Sequence, residues 1–368
     1  MRSKYNKLIA LIVGARPNFI KAAPILRELK EQTTFKPVLI HTGQHFDYEM
    51  SRLFFRDLDI SKPDFNLGIN GTSHAELTAR MMISLEKKFI SLRPDIVVVV
   101  GDVDSTLAAS LTAAKLSIPV AHVEAGLRSF DPEMPEEFNR IVTDRLSDFL
   151  FIHSEDARTN LIHEGISKTK IYFAGNIMID MLKRMLEKMR DDLYLKKYGV
   201  KKRKYFLLTL HRPANVDSKG TLSYILRTIR HVSEKLPVIF PVHPRTLQKI
   251  KKFKLGNILR NSSIISTAPL GYMENLGLLK DAAFVMTDSG GIQEESTYLH
   301  VPCLTIRENT ERPITVEIGT NTLVGTDRHT IMTEIDKILS CRYKKGKIPK
   351  FWDGRTSERI VKVLTERL

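Results

Sequence analysis

Four stretches of this 368-residue sequence combine residue types and spacings that could do chemistry. Residues 287–295 read TDSGGIQEE, where a strand-like run ends, two glycines permit close backbone approach, and a helix begins. Free amides at a helix N-terminus suit a phosphate, and Ser289, Gly290 and Gly291 are placed to supply a hydroxyl and the amides. Glu295, about a turn further on, is placed to accept hydrogen bonds from ribose hydroxyls. The same letters also describe a capped helix after a tight turn, and spacing alone leaves both readings open. Asp102 follows the apolar run 96–100, at a strand's carboxyl end, where it is either an acid–base group or a cap for the next helix. Glu124, in HVEAGLR (122–128), ends the next strand on the same edge. Two carboxylates on one edge suit paired proton transfer, because repulsion and burial drive their pKa values apart. Glu136 and Arg140 are four apart in PEEFNR, and spacing alone describes a surface ion pair worth about 0.3–0.5 kcal/mol. His211 and His243 follow strand-like runs beside Arg212 and Arg245, an arrangement suited to phosphate or sugar contacts. Neither histidine has a partner at zinc-ligand spacing, so no metal site is expected.

The elements that must position these groups alternate between β-branched runs and helical stretches, the pattern of βαβ units and parallel sheets. Strands are expected at 8–13, 37–41, 96–100, 119–123, 149–153 and 171–174, with helices at 18–30 and 106–116. A second set of strands is expected at 205–210, 238–241, 263–265, 284–286 and 301–305, after one helical stretch over 178–197. This predicts an α/β chain of two Rossmann-like domains, residues 1–176 and 177–356, with the boundary near 175–177. The first strand of each half runs into an Arg-Pro pair, Arg16-Pro17 and Arg212-Pro213. Ligands of open α/β sheets bind beyond the carboxyl ends of strands, so these loops mark where a site should lie.

Bulk properties exclude several classes. Hydrophobic residues make up 42% and charged residues 27%, an ordinary globular balance, and no apolar run approaches the ~20 residues of a membrane helix. The start of the chain does not read as a signal peptide, and two cysteines make no disulfide framework, so a cytoplasmic setting without a membrane partner is expected. The net charge of +15 includes basic runs at 196–204 and 342–350, but neither carries aromatic residues at stacking intervals, and no nucleic-acid partner is expected. A positive field would steer an anionic diphosphate instead.

These stretches, in register along nearly the whole chain, resemble the non-hydrolysing UDP-N-acetylglucosamine 2-epimerase family. The matching landmarks are GARPNFIK (14–21), TGQH (42–45), Gly101-Asp102, HVEAGLR, PEEFNR, His211-Arg212, PVHP (241–244), DSGGIQEE (288–295) and TERP (310–313). The resemblance implies a GT-B-like architecture with an interdomain active-site cleft, and a C-terminal helix, 357–368, returning to the first domain. It implies an isomerase with neither metal nor nicotinamide cofactor: UDP is eliminated across C1–C2 to leave 2-acetamidoglucal, then re-adds with a proton on the other face. By the same resemblance Asp102, Glu124, Glu136, Arg140 and His211 form the catalytic group, and Arg16, Lys21, Ser289, Gly290, Gly291, Glu295 and Arg312 bind the UDP-sugar. Gln44, His45, Arg212 and His243 match an activator site for a second UDP-sugar, and a homodimer is implied. The chain departs from the family pattern at Asn18, where many members have glutamate, at Asn275, where an aromatic is common near the uracil and Tyr272 is its nearest substitute, and at Ile314. The alternatives are a hydrolysing epimerase, an epimerase of a related UDP-2-acetamido sugar, a GT-B glycosyltransferase, and a non-enzymatic sugar-nucleotide sensor.

Overall fold

The computed structural model describes residues 7–43, 62–71, 73–189, 192–260 and 263–368, which divide into two compact units. The first comprises residues 1–184 with 350–368, the second 185–349. Among the described residues no helix is long and apolar enough to cross a membrane.

In the first unit β1 (Lys7–Val13), β2 (Phe35–His41), β3 (Phe65–Asn66), β4 (Ile96–Val100), β5 (Val120–Val123), β6 (Phe149–Ile152) and β7 (Ile171–Phe173) form one sheet. Its order is β3-β2-β1-β4-β5-β6-β7 and every pairing is parallel. The helices are α1 (Arg16–Glu31), α2 (His74–Leu92), α3 (Asp104–Lys115), α4 (Pro135–Leu146), α5 (Glu155–His163) and α6 (Ile177–Lys188). The central strands read as unbroken apolar runs because both faces are covered. All five residues of β4 are buried, with Val97 and Val99 in a core shared with Met81, Leu85 and Phe89 of α2 and Ala108 and Ala109 of α3.

The second unit begins at Met185, within α6, continues into α7 (Leu193–Tyr198) and holds β8 (Phe206–Thr209), β9 (Val238–Pro241), β10 (Ile264–Thr267), β11 (Phe284–Thr287), β12 (Cys303–Thr305) and β13 (Asn321–Leu323). Its all-parallel order, β10-β9-β8-β11-β12-β13, is the arrangement of a doubly wound nucleotide-binding sheet. Alternation along β8 sends Phe206 and Leu208 into one core and Leu207 into the core on the opposite face. The Phe206 and Phe284 rings stack with centroids 4.6 Å apart. Its further helices are α8 (Pro213–Val216), α9 (Lys219–Ser233), α10 (Pro244–Lys252), α11 (Gly256–Leu259), α12 (Tyr272–Asp281), α13 (Gly290–Tyr298), α14 (Pro313–Glu317) and α15 (Arg328–Leu339).

The single helical stretch expected over 178–197 is instead two helices, α6 and α7, with Asp192 before α7 in the left-handed conformation at φ 60°. β3 and β13, two and three residues long, are too short for a periodicity signal. The chain ends in α16 (Thr356–Arg367), which packs against α1. Asp180 caps α16, its carboxylate accepting the Thr356 and Ser357 amides at 3.0 and 2.7 Å and the Ser357 hydroxyl at 2.8 Å. Trp352, 1% exposed, donates its indole N–H to the His153 carbonyl.

Gly175 makes this return possible. Its φ is +101°, and a Cβ there would stand 2.1 Å from the Phe351 carbonyl oxygen. Replacing Gly175→Ala therefore combines a left-handed penalty with a backbone clash, and a loss of about 2 kcal/mol or more is expected. Urea unfolding monitored by Trp352 fluorescence checks this; an unchanged midpoint would show that 350–354 moves aside freely.

Candidate functional site

In each sheet the strand order reverses beside the first strand in sequence, between β1 and β4 and between β8 and β11. Asp102, His211, Arg212 and Ser289 lie on the loops leaving these strands, and Glu124, His243 and Arg312 follow their neighbours β5, β9 and β12.

In the second unit, Asp288 follows β11 and is fully buried. Its carboxylate accepts the His211 amide at 2.9 Å, the Arg212 amide at 2.9 Å and the Asn215 side-chain amide at 3.1 Å, and faces His211 Nδ1 at 2.8 Å. Burial works to raise this carboxyl, but the His211 side chain and the two backbone amides outweigh it and hold it below the usual range. An ionised Asp288 fixes Nδ1 of His211 as a donor and leaves Nε2 to exchange a proton or a hydrogen bond. His243 caps α10, its ring 5.4 Å from that of His211. Burial, then the charges of His211 and Arg245, lower the His243 imidazole below its ordinary value, with Asp288 opposing.

Ser289 is the N-cap of α13, and Gly290 and Gly291 form its first turn. First-turn amides have no intrahelical acceptor, so they point a partial positive charge outward. A Cβ on Gly290 would lie 2.4 Å from Arg312 Nη1, so only glycine lets the guanidinium come this close to the helix end. Arg312 is paired with Glu294 at 2.8 Å and Glu311 at 3.0 Å, and Glu311 also faces Arg307 at 2.8 Å and Arg212 at 3.2 Å. Three guanidinium groups thus share two buried carboxylates beside a helix N-terminus, an excess of positive charge suited to a diphosphate. A polar network anchors the Arg312 loop: Gln293 Oε1 accepts the Thr310 hydroxyl at 2.7 Å and the Asn321 amide at 3.0 Å, and Thr310 Oγ1 accepts the Arg312 amide at 3.1 Å. Burial raises the Glu295 carboxyl from 4.5 to about 7, the Tyr272 hydroxyl opposing and Glu294 adding to the rise.

In the first unit, Asn18 spans the reversal. Its Oδ1 accepts the Ala15 amide at 2.9 Å and its Nδ2 donates to the Val100 carbonyl at 2.8 Å. Asp102 accepts Nη2 and Nε of Arg140 at 2.6 and 2.9 Å, while Arg140 Nη1 donates to Glu137 at 2.6 Å. Glu137 also accepts the Ser129 and Phe130 amides. Glu124, buried and at φ 73°, is held by Lys21 Nζ at 2.5 Å and by amides at 124 and 125 donating to the Phe151 carbonyl. A non-glycine residue in this conformation carries strain of the kind that functional sites retain. Both carboxylates therefore sit at the carboxyl edge of adjacent strands, each against its own cation.

Two expectations need correction. Arg140 takes Asp102 and Glu137 as its partners, and at 2% exposure it is no surface residue; the i,i+3 carboxylate points into the unit where the i,i+4 spacing suggested Glu136. Asp102 does not cap α3, whose N-cap is Val103. Glu136 is half-buried in the first turn of α4, Arg16 opens α1, and Gln44 and His45 lie outside the described residues. The residues that spacing missed are Asp288, Glu294, Glu311, Glu137 and Asn18; each lies inside a motif already singled out, and Asp288, Glu294, Glu311 and Asn18 also have partners distant in sequence, in His211, Arg312, Arg212 and Val100. Among the described residues no cluster of histidine, cysteine, aspartate and glutamate could hold a metal ion.

A profile described as UDP-N-acetylglucosamine 2-epimerase matches residues 27–365. A UDP-N-acetylglucosamine 2-epimerase of Methanococcus maripaludis is 43% identical over 97% of this chain and 98% of its own. The crystal structure of the Methanocaldococcus jannaschii UDP-GlcNAc 2-epimerase in complex with UDP-GlcNAc and UDP superposes with a TM-score of 0.90 at 42% identity, covering 98% of this chain and 99% of that one. A glycosyltransferase from Rickettsia africae, at 13% identity and a TM-score of 0.56, covers 97% of this chain and 94% of its own and shares the GT-B-like fold alone.

The raised Glu295 carboxyl has a consequence for stability. Its folded value, about 7, exceeds the ordinary 4.5, so the stabilisation is full below pH 4.5 and is lost as pH rises through 7. A neutral Glu295→Gln variant escapes that loss. Relative to the unsubstituted protein it should gain roughly 2–3 kcal/mol between pH 5 and pH 8. Urea unfolding at both pH values checks this; an offset independent of pH would contradict it.

Proposed function

This chain belongs to the UDP-N-acetylglucosamine 2-epimerase family, and from that membership we propose that it interconverts UDP-N-acetylglucosamine and UDP-N-acetylmannosamine by eliminating and re-adding UDP. The observation that carries the chemistry is the pair of ion-paired carboxylates on one sheet edge, Asp102 with Arg140 and Glu124 with Lys21.

The C2 proton of the sugar is weakly acidic, so its removal must be coupled to departure of the diphosphate. A carboxylate takes the proton, the C1–C2 double bond forms, and the C1–O bond breaks with its electron pair going to UDP. On return, a UDP oxygen attacks C1 while an acid on the opposite face delivers a proton to C2. Asp102, Glu124 and Glu136 are the groups available for these transfers, one face each way. Lys21 and Arg140 pair with the two innermost carboxylates and hold them in place at the strand ends.

The second unit takes the nucleotide. The amides of Gly290 and Gly291, the Ser289 hydroxyl and Arg312 bind the diphosphate, and Glu295 accepts the ribose hydroxyls. His211, oriented by Asp288, stabilises the charge that grows on the departing phosphate, and donors already in place need no reorganisation as it develops. Arg212 and His243 are assigned to a second UDP-sugar that activates the enzyme. The protein acts as a cytoplasmic homodimer.

Proton NMR of UDP-N-acetylglucosamine incubated with the protein in D2O tests this reading. Intact UDP-N-acetylmannosamine carrying deuterium at C2 is expected at equilibrium. Free UDP with reducing N-acetylmannosamine would replace re-addition by hydrolysis, and an unchanged spectrum would overturn the substrate assignment.

A further inference from the structure

Asp102 and Glu124 occupy separate loops, yet two-faced chemistry at one carbon requires them in a common register. One buried side chain of α4 reaches the turn after Glu124 directly and the Asp102 loop through a histidine. Asp144, fully buried, faces His122 Nδ1 at 2.7 Å through Oδ1. Its Oδ2 accepts the Gly126 amide at 3.0 Å and pairs with Arg128 Nη2 at 2.8 Å, two and four residues beyond Glu124. His122, equally buried on β5, places Nε2 2.8 Å from the carbonyl of Gly101, the residue before Asp102. The same helix contributes Arg140 to the Asp102 carboxylate and Asn139, whose Nδ2 donates to the Asp102 carbonyl at 2.9 Å.

We propose that His122 and Asp144 form a positioning pair that locks the Asp102 and Glu124 loops to α4, a role that rests on the epimerase reading above. Neither residue touches the reacting atoms. Both nitrogens of the His122 ring face acceptors, a carboxylate and a carbonyl, so the ring donates from both. Burial works to raise the Asp144 carboxyl, but His122 and Arg128 outweigh it and hold it below the usual range, so it accepts throughout. The ring is thus a rigid spacer between α4 and the end of β4. Asp144 performs the same service for the turn after Glu124, where Gly126 is at φ 79° and a Cβ would stand 2.5 Å from the Ala157 carbonyl oxygen.

The two ring nitrogens can be removed separately. In His122→Gln the amide nitrogen stands where Nε2 was and keeps the Gly101 carbonyl; in His122→Asn it stands where Nδ1 was and keeps Asp144 alone. A misplacement of about 1 Å costs roughly 100-fold in rate, so kcat should fall about 100-fold in His122→Asn and stay within tenfold of the unsubstituted enzyme in His122→Gln. The Kd for UDP, measured by calorimetry, should stay within twofold in both, because its proposed contacts lie chiefly on the other unit. Equal kcat in the two variants, at any level, or parallel losses of kcat and UDP affinity, would overturn the assignment.

A nitrogen-15 spectrum of the unsubstituted protein decides the matter even where a variant fails to fold. A buried histidine that donates from both ring nitrogens, absent from a spectrum of either variant or assigned to His122 through its carbon shifts, is the expected signature. A lone-pair nitrogen on the His122 ring would refute the two-donor spacer. This spectrum needs no turnover: failure of deuterium to enter C2 in the unsubstituted enzyme would refute the epimerase reading alone, and the ring's protonation would still decide the pair.

Discussion

Where the order of a parallel sheet reverses, neighbouring strands send their chains to opposite faces, and backbone groups at their carboxyl ends lose their ladder partners. Some side chain must bridge the gap, because unpaired buried backbone groups are costly. Asn18 does so in the first unit, joining the Ala15 amide to the Val100 carbonyl. Asp288 does so in the second, gathering the His211 and Arg212 amides. The two bridges differ in charge, and that difference runs through the rest of each unit. A neutral amide leaves the first edge free to carry the paired carboxylates Asp102 and Glu124. A carboxylate in the second anchors a histidine among arginines.

Each edge then balances its own charge. The first gives its two carboxylates a cation each, Lys21 for Glu124 and Arg140, shared with Glu137, for Asp102. The second assembles three guanidinium groups on Glu294 and Glu311 and adds a helix N-terminus, so that positive charge remains for a phosphate. In the function proposed above, the first edge moves protons and the second receives the departing anion.

Much of this was legible in the chain. Strands buried on both faces write themselves as apolar runs, which placed Asp102 and Glu124 on one edge from strand ends alone. The paired Arg-Pro motifs marked the first loop of each sheet, and the structure shows why: each leaves the strand beside the reversal. Partnerships were not legible. Arg140 pairs with Asp102 across 38 residues, and Asp144 meets His122 across 22, distances over which spacing carries no signal until α4 has folded against the sheet. The helical stretch around 189–192 reads as continuous because its composition favours helix, whereas Asp192 stands in the left-handed region before α7. The Tyr272 hydroxyl meets Glu295 across 23 residues, another partnership that spacing does not show.

The central claim is that the bond between C1 and the diphosphate breaks and re-forms while protons move at C2. Positional isotope exchange tests it most directly, using UDP-N-acetylglucosamine labelled with oxygen-18 in the bridge between C1 and the β-phosphorus. Elimination frees the β-phosphate to rotate, so the label should scramble into non-bridging positions at a rate comparable with epimerisation, as read by phosphorus NMR. Epimerisation with the label retained in the bridge would mean that C1–O never breaks, and would contradict the account.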